Sequence, residues 1–317
     1  MHRVFLIAVL AGGGVAQLAA AEWARNFDVR GTPDLRVETN DARIEVTSWG
    51  RNQVAARVVT EGWEISNDQV RVTETQTGDR VSLEVRVPQF EWSWFQNHRR
   101  SVKIEISVPS KANLDMRTGD GAVSLESVEG TLHVNTGDGA IRAENLRGDV
   151  RLSSGDGRIE ARGLAGSVRL STSDGAIDVR DVQGDVDLST GDGSIDALNL
   201  QAALRAKTND GRVIVDGRFS QLDLRTGDGA VTATVREGSR MEHNWSLSSN
   251  DGSITLRLPD VFPAELDAST GDGRVTLDFP VKLSGSLSKS KIRGTIQEGG
   301  QRLELRTGDG AIRVSKL

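Results

Sequence analysis

An Asp-Gly pair returns along this chain with a period that leaves little choice of fold. It stands at Asp120, Asp138, Asp156, Asp174, Asp192, Asp210 and Asp228, each 18 residues after the last. Asp251, Asp272 and Asp309 carry three more, after gaps of 23, 21 and 37 residues. The wider gaps imply insertions at the turns, and the last is wide enough to hold one degenerate repeat. Such self-similarity marks an architecture in which one small unit is stacked many times.

Alignment on the aspartate turns the sequence into columns. Six residues before it stand large apolar residues, among them Leu114, Leu132, Val150, Val168, Trp245 and Leu303. Four before it stand others, such as Met116, Val134, Leu152 and Leu305. Two before it every residue is Thr or Ser, from Thr118 to Thr307. Three after it every residue is Val or Ile, and five after it only Ala, Val or Leu occur. A spacing of two on both sides of a fixed turn is strand periodicity, and the charged residues between point outward. A corner follows, with an aliphatic residue (Val128, Leu146, Leu164, Val182, Leu200) and a glycine two residues later in four repeats. Helix is excluded, since β-branched residues fill the columns and glycine punctuates every repeat.

One such coil cannot fold alone. Burying its half-dozen aliphatic side chains falls well short of the entropy lost in ordering the coil. Neighbouring coils must supply the missing hydrogen bonds and close the core, with like residues about 4.8 Å apart in parallel register. The expectation is therefore all-β: a single parallel β-solenoid of about 18 residues per coil. Residues 111–317 form its regular repeats, and 22–110 an irregular N-terminal β cap.

The aspartates Asp120, Asp138, Asp156, Asp174, Asp192, Asp210, Asp228, Asp251, Asp272 and Asp309 then form a ladder. Turn chemistry accounts for them: glycine supplies positive φ, and the carboxylate accepts nearby backbone N–H groups. The Thr and Ser hydroxyls bond along a ladder of their own. A calcium-stabilised structural rod is the alternative, because stacked carboxylates repel unless solvated or bridged. Calcium rolls of the repeat-in-toxin kind need two Gly-Gly-x-Gly-x-Asp nonapeptides per coil, whereas this sequence has one aspartate turn. A polysaccharide-active β-helix enzyme would need acids and a base gathered at a break in the pattern. The acids here are evenly spread, and His98, His133 and His243 share no motif. An ice-binding face is disfavoured by the charged, varied neighbours of the Thr column. No catalytic residue, cofactor or metal ligand is assigned.

In the N-terminal third, Leu35, Val37, Asn40-Asp41-Ala42, Ile44 and Val46 reproduce the columns with a degraded turn. Trp23, Trp49, Trp63, Trp92 and Trp94 also fall here and suit a cap that covers an exposed stack end. Phe90, Trp92, Trp94, Phe95, Arg99 and Arg100 form the one stretch that reads as a partner-binding site, since aromatics beside arginines hold sugars, lipid headgroups or proteins.

His2 and Arg3 precede an apolar run from Val4 to Leu10, and Ala19 and Ala21 give the small-x-small pattern of a secretory signal. Cleavage is expected between Ala21 and Glu22. The run is too short to be a permanent membrane span, and none follows. There is no cysteine, which excludes a lipid-modified residue and disulfides alike. A net charge of −6 with interspersed signs argues against nucleic acid.

The columns Leu-x-Val-x-Thr-Gly-Asp-Gly-x-Ile-x-Val, and the ending from Ile292 to Val314, resemble a bacterial family of unknown function usually labelled "putative adhesin". The resemblance covers about residues 33–317. It implies an exported, envelope-associated β-solenoid and brings no catalytic residues. The reading is a periplasmic or cell-surface binding, adhesion or scaffold protein whose partner is an envelope protein or glycan. Replacing Ile177 by Asp is expected to cost more than about 4 kcal/mol in urea denaturation, because it places an unpaired charge in the stacked core. An unchanged midpoint would refute the solenoid.

Overall fold

The computed structural model describes residues 20–88, 100–283 and 288–317. Of the expected leader, only Ala20 and Ala21 fall inside that range. The protein is all-β, with no helix among the described residues, so none is long and apolar enough to cross a membrane. It divides into two compact units between Gly148 and Asp149.

The first unit contains β1 (Ala20–Asp28), β2 (Asp34–Thr39), β3 (Arg43–Trp49), β4 (Gln53–Glu61), β5 (Arg71–Thr77) and β6 (Arg80–Arg86). It continues with β7 (Ser101–Pro109), β8 (Asn113–Thr118), β9 (Val123–Glu126), β10 (Glu129–Thr136) and β11 (Ile141–Glu144). Two hydrogen-bonded rows result. One runs β5, β6, β2, β8, β10, the other β1, β4, β7, β3, β9, β11. The degraded repeat behaves as its columns require: Leu35 stacks on Leu114, Val37 on Met116 and Ile44 on Val123. Its place in the stack is not its place in the sequence, for β2 and β3 lie between the later pairs β6/β7 and β8/β9.

Strand β12 (Arg147–Ser154) crosses the division. The second unit follows with β13 (Ile159–Arg162), β14 (Ala165–Ser171), β15 (Ile177–Arg180), β16 (Gln183–Ser189), β17 (Ile195–Lys207), β18 (Val213–Arg225) and β19 (Val231–Val235). The remainder are β20 (Trp245–Ser248), β21 (Ile254–Leu258), β22 (Ala264–Thr270), β23 (Val275–Leu277), β24 (Val281–Leu283), β25 (Lys291–Ile296), β26 (Arg302–Thr307) and β27 (Ile312–Lys316). The 18-residue coils stack in register, Ile159 on Ile177 on Ile195 on Val213. Order then breaks again. The last coil, β26 and β27, inserts between the coil of β20/β21 and that of β22/β23.

Strict parallel pairing is therefore corrected to a mixed arrangement. β1, β4 and β7 pair antiparallel, as do β5 with β6, β22 with β25 and β24 with β25. The 37-residue gap holds the β24–β25 hairpin rather than a degenerate parallel coil. The threaded coils themselves keep parallel partners on both sides, and the antiparallel pairs lie at the strands added around them.

The columns supply the core: Ile177, Val213, Leu224 and Leu305 are fully buried. Trp245 is buried too, packed edge-on to Phe219 at 6.4 Å and against Phe262 at 5.3 Å. Trp23, Trp49 and Trp63 are only half-buried. The turn glycines do not need positive φ, contrary to expectation; left-handed backbone sits at the corner. Ser127, Asn145, Asp181 and Asn199 there have φ of 55–60°, and Gly148 and Gly184 reach 115° and 121°. Short polar residues and glycine are the types that tolerate that region.

Charge networks cross the outward faces of the threaded strands. Glu22, Arg57, Glu105, Lys103 and Glu45 alternate in sign across β1, β4, β7 and β3, at 2.8–2.9 Å per link. In the second unit, Asp267 on β22 receives Arg293 from β25 at 3.1 Å and Arg302 from β26. Burial alone would push Asp267 up, but the two guanidiniums hold it below the ordinary carboxylate range. Its stabilising contribution is full above the unfolded pKa of about 4 and is lost as pH falls through the lower folded value. Asp267→Asn is expected to cost about 1–3 kcal/mol at neutral pH. Urea midpoints at falling pH should show the variant and parent converging as Asp267 is protonated in the folded state; a constant gap would contradict the assignment.

Candidate functional site

Two features stand out from the regular stack, and the first is the turn ladder. At Asp138 the backbone N–H of Gly137 and of Asp138 bond to Gly119 O, at 2.6 and 3.2 Å. The N–H of Gly139 bonds to Thr136 Oγ1 at 3.1 Å, and that hydroxyl donates to Gly119 O and Gly121 O of the next coil. The same hydroxyl-to-carbonyl bonds recur at Thr172, Thr190, Thr208 and Thr226. Those N–H groups are thus taken, and among the described residues no ladder carboxylate accepts one. This corrects the expected carboxylate cap. All ten predicted aspartates are exposed to solvent. Glycine is required because a Cβ at Gly139 or Gly193 would overlap the carbonyl oxygen of Gly121 or Gly175 beneath it. Among the described residues, no three acidic, histidine or cysteine groups converge as a metal site would need.

The second feature is the place in the first unit where this turn is missing. Thr39 pairs with Val85 and Arg43 with Lys103, so four steps along one coil match eighteen in the next. The 14 extra residues fall, in sequence, where a Thr-Gly-Asp-Gly turn would stand. Asn40 closes the base by exchanging two hydrogen bonds with Val87, Nδ2 to O at 2.7 Å and N to Oδ1 at 2.8 Å. Thr39 is buried, and its hydroxyl has no hydrogen-bond partner. Thr136, Thr172, Thr190, Thr208 and Thr226 donate to turn carbonyls of the neighbouring coil, whereas Thr39 has no such acceptor.

A cavity of about 980 Å³ opens there, between Asp41, Arg43, Trp63, Arg100, Lys103 and Asp120. The Arg100 guanidinium lies 4.4 Å from the centre of the Trp63 ring. Lys103 is anchored by Glu45 at 2.8 Å and Glu105 at 2.9 Å, which raises its pKa. Crowding by the walls, and then the adjacent Asp120 charge, push the Asp41 carboxyl above its ordinary range. The opening offers stacking, charge of both signs and hydrogen bonding. Histidine is absent from its described lining.

Of the predicted binding residues, Phe90, Trp92, Trp94, Phe95 and Arg99 lie outside the described residues. Arg100 is described and lines this opening. Sequence alone does not single out Trp63, Asp41 and Arg43 as site residues. Asn40-Asp41-Ala42 reads there as a degraded turn, and that degradation is the available signal.

The protein matches the Toastrack DUF4097 family over residues 32–216 and 200–315, and it belongs to that family. No curated protein matches it. Three solved structures resemble it at low identity. A "putative cell adhesion protein" from Clostridium sporogenes is 10% identical with a TM-score of 0.27, over 94% of this chain and 100% of the other. A "putative adhesin" from Bacteroides fragilis is 11% identical with a TM-score of 0.32, over 96% and 100%. A "putative lipid binding protein" from Parabacteroides distasonis is 13% identical with a TM-score of 0.30, over 93% and 96%. Scores this low carry neither site nor ligand across.

Since hydroxyls and carbonyls hold the turns, calcium is expected to change the melting temperature by less than about 3 °C relative to chelator, under roughly 1 kcal/mol of linkage. A rise of 10 °C or so would reinstate the calcium-stabilised rod.

Proposed function

We propose that this protein is an exported, non-catalytic binding protein of the cell envelope, and that it takes an envelope glycan at the turn insertion. One observation carries the reading: the repeat is interrupted where an opening lined by Trp63, Arg100 and Asp41 adjoins the segment richest in aromatics and arginines. Flat rings and planar charged groups provide stacking faces and paired hydrogen bonds for sugar rings. Elsewhere the outward positions are mixed in sign and vary from coil to coil, which gives little concentrated desolvation energy. Export rests on His2, Arg3, the apolar run to Leu10 and the Ala19-x-Ala21 pattern. Asp41 and Asp120 are the acids of the described lining and no histidine accompanies them there, which favours binding over catalysis.

The test is co-sedimentation of the mature protein with purified insoluble envelope glycan. Replacing Trp92 and Trp94 together by Ala, or Arg100 by Ala, should weaken retention by about tenfold or more while the melting temperature stays within a few degrees. Retention unchanged with a melting temperature several degrees lower would make these side groups structural. Capture of an envelope protein without glycan retention would transfer the site to the other partner class.

A further inference from the structure

The ladder repeats a chemically fragile dipeptide, and the structure shows how it is protected. In an Asp-Gly pair the glycine nitrogen attacks the Cγ of the protonated aspartate carboxyl, and the nitrogen's proton leaves with the carboxyl hydroxyl as one water, closing a succinimide. One water then reopens the ring. Cleavage of the Cγ–N bond restores aspartate, while cleavage of the original peptide bond leaves isoaspartate. Water is lost and regained, so composition is unchanged and no oxidant or enzyme is needed. Glycine offers no side group to hinder the attack. What decides the rate is whether its N–H is held.

In this fold the Thr or Ser two residues before the aspartate does the holding. The glycine N–H donates to that hydroxyl at Gly121, Gly139, Gly157, Gly175 and Gly193. It does so again at Gly211, Gly229, Gly252 and Gly273, all at 2.8–3.2 Å. At Thr136, Thr172, Thr190, Thr208, Thr226, Ser249 and Thr270 the hydroxyl is fixed in turn by donating to the neighbouring coil, which holds the N–H away from the carboxylate. One further Asp-Gly pair, Asp216-Gly217, lies within β18, with its carboxylate 2.6 Å from Arg236.

The turn at Asp309 differs. Thr307 Oγ1 donates to Gly252 O at 2.7 Å and Asn250 O at 3.4 Å, as its counterparts do. Yet among the described residues the N–H of Gly310 has no hydrogen-bond partner, alone of the glycines that follow the ladder aspartates. Asp309 is exposed, so water reaches it. We propose that Asp309 is the self-modification site of this protein, converting to isoaspartate while the hydroxyl ladder guards the other turns. Isomerisation adds a methylene to the backbone between β26 and β27. That coil is the one held between two others, so the extra length loosens the C-terminal closure of the stack.

The test compares rates site by site. The full-length protein is incubated folded, and in guanidinium, in mildly acidic buffer, and isoaspartate at each Asp-Gly pair is quantified by peptide mapping with electron-transfer fragmentation. The unfolded-to-folded rate ratio gives the protection of each turn. Protection at Asp309 is expected to be at least about threefold lower than at Asp138, Asp192 or Asp228, the size of effect one hydrogen bond supplies. Equal protection would overturn the proposal. So would greatest lability at Asp272, whose coil borders the terminal hairpin and would fray first. Thr190→Val should bring Asp192 down to the protection of Asp309, and Thr190→Ser should preserve it. Full protection in a folded Thr190→Val variant would show that the hydroxyl is not the guard.

Discussion

The hydrogen bond from a turn hydroxyl to the carbonyl of the next coil organises everything else in each unit. Thr190 Oγ1 reaches Gly175 O at 2.9 Å while accepting the N–H of Gly193 at 3.2 Å. One buried hydroxyl thereby ties its own turn and joins two coils. Such an interior group is costly unless satisfied on both sides, which makes the register sharply defined. The close approach it demands admits only glycine at the positions where carbonyls stack. Valine and isoleucine columns then fall over one another because the turns already do.

Stacked coils leave unpaired edges, and each unit deals with its own by threading. In the first, an early coil is enclosed by later strands; in the second, the final coil is enclosed by earlier ones. The outer strands of the first unit are antiparallel and carry charge, and the line of ions from Glu22 runs across β1, β4 and β7 to Glu45 on the parallel-paired β3. Charged outward faces discourage edge-to-edge pairing with other copies. The Arg293–Asp267–Arg302 group ties both neighbours of β22 to it. Closure is therefore non-local at both places, and contacts far apart in sequence hold the threaded coils.

The candidate site follows from the same rule by its local failure. Where a turn is replaced by an insertion, Thr39 has no acceptor, Asn40 substitutes its amide for the turn bonds, and a cavity opens beside Trp63 and Arg100. The outward positions of the regular coils are mixed in sign and vary from coil to coil.

Much of this is legible in the residues alone. The period, the inward columns, the buried hydroxyls and the degraded coil around Asp41 are local properties, and alternation about a turn specifies them without knowledge of any partner strand. Other features are not legible. The role of glycine is ambiguous in sequence because close carbonyl contact and positive φ select the same residue, and only the stacked neighbour tells them apart. The left-handed corner is hidden because Ser127, Asn145, Asp181 and Asn199 share a conformation rather than an identity. Strand order lies beyond reach for a deeper reason. Every coil presents nearly the same hydrophobic columns, so sequence determines that coils stack and in what register. Which coil lies beside which is decided only in three dimensions, by where the insertions let the backbone turn back and by charges such as Asp267 that meet their partners there.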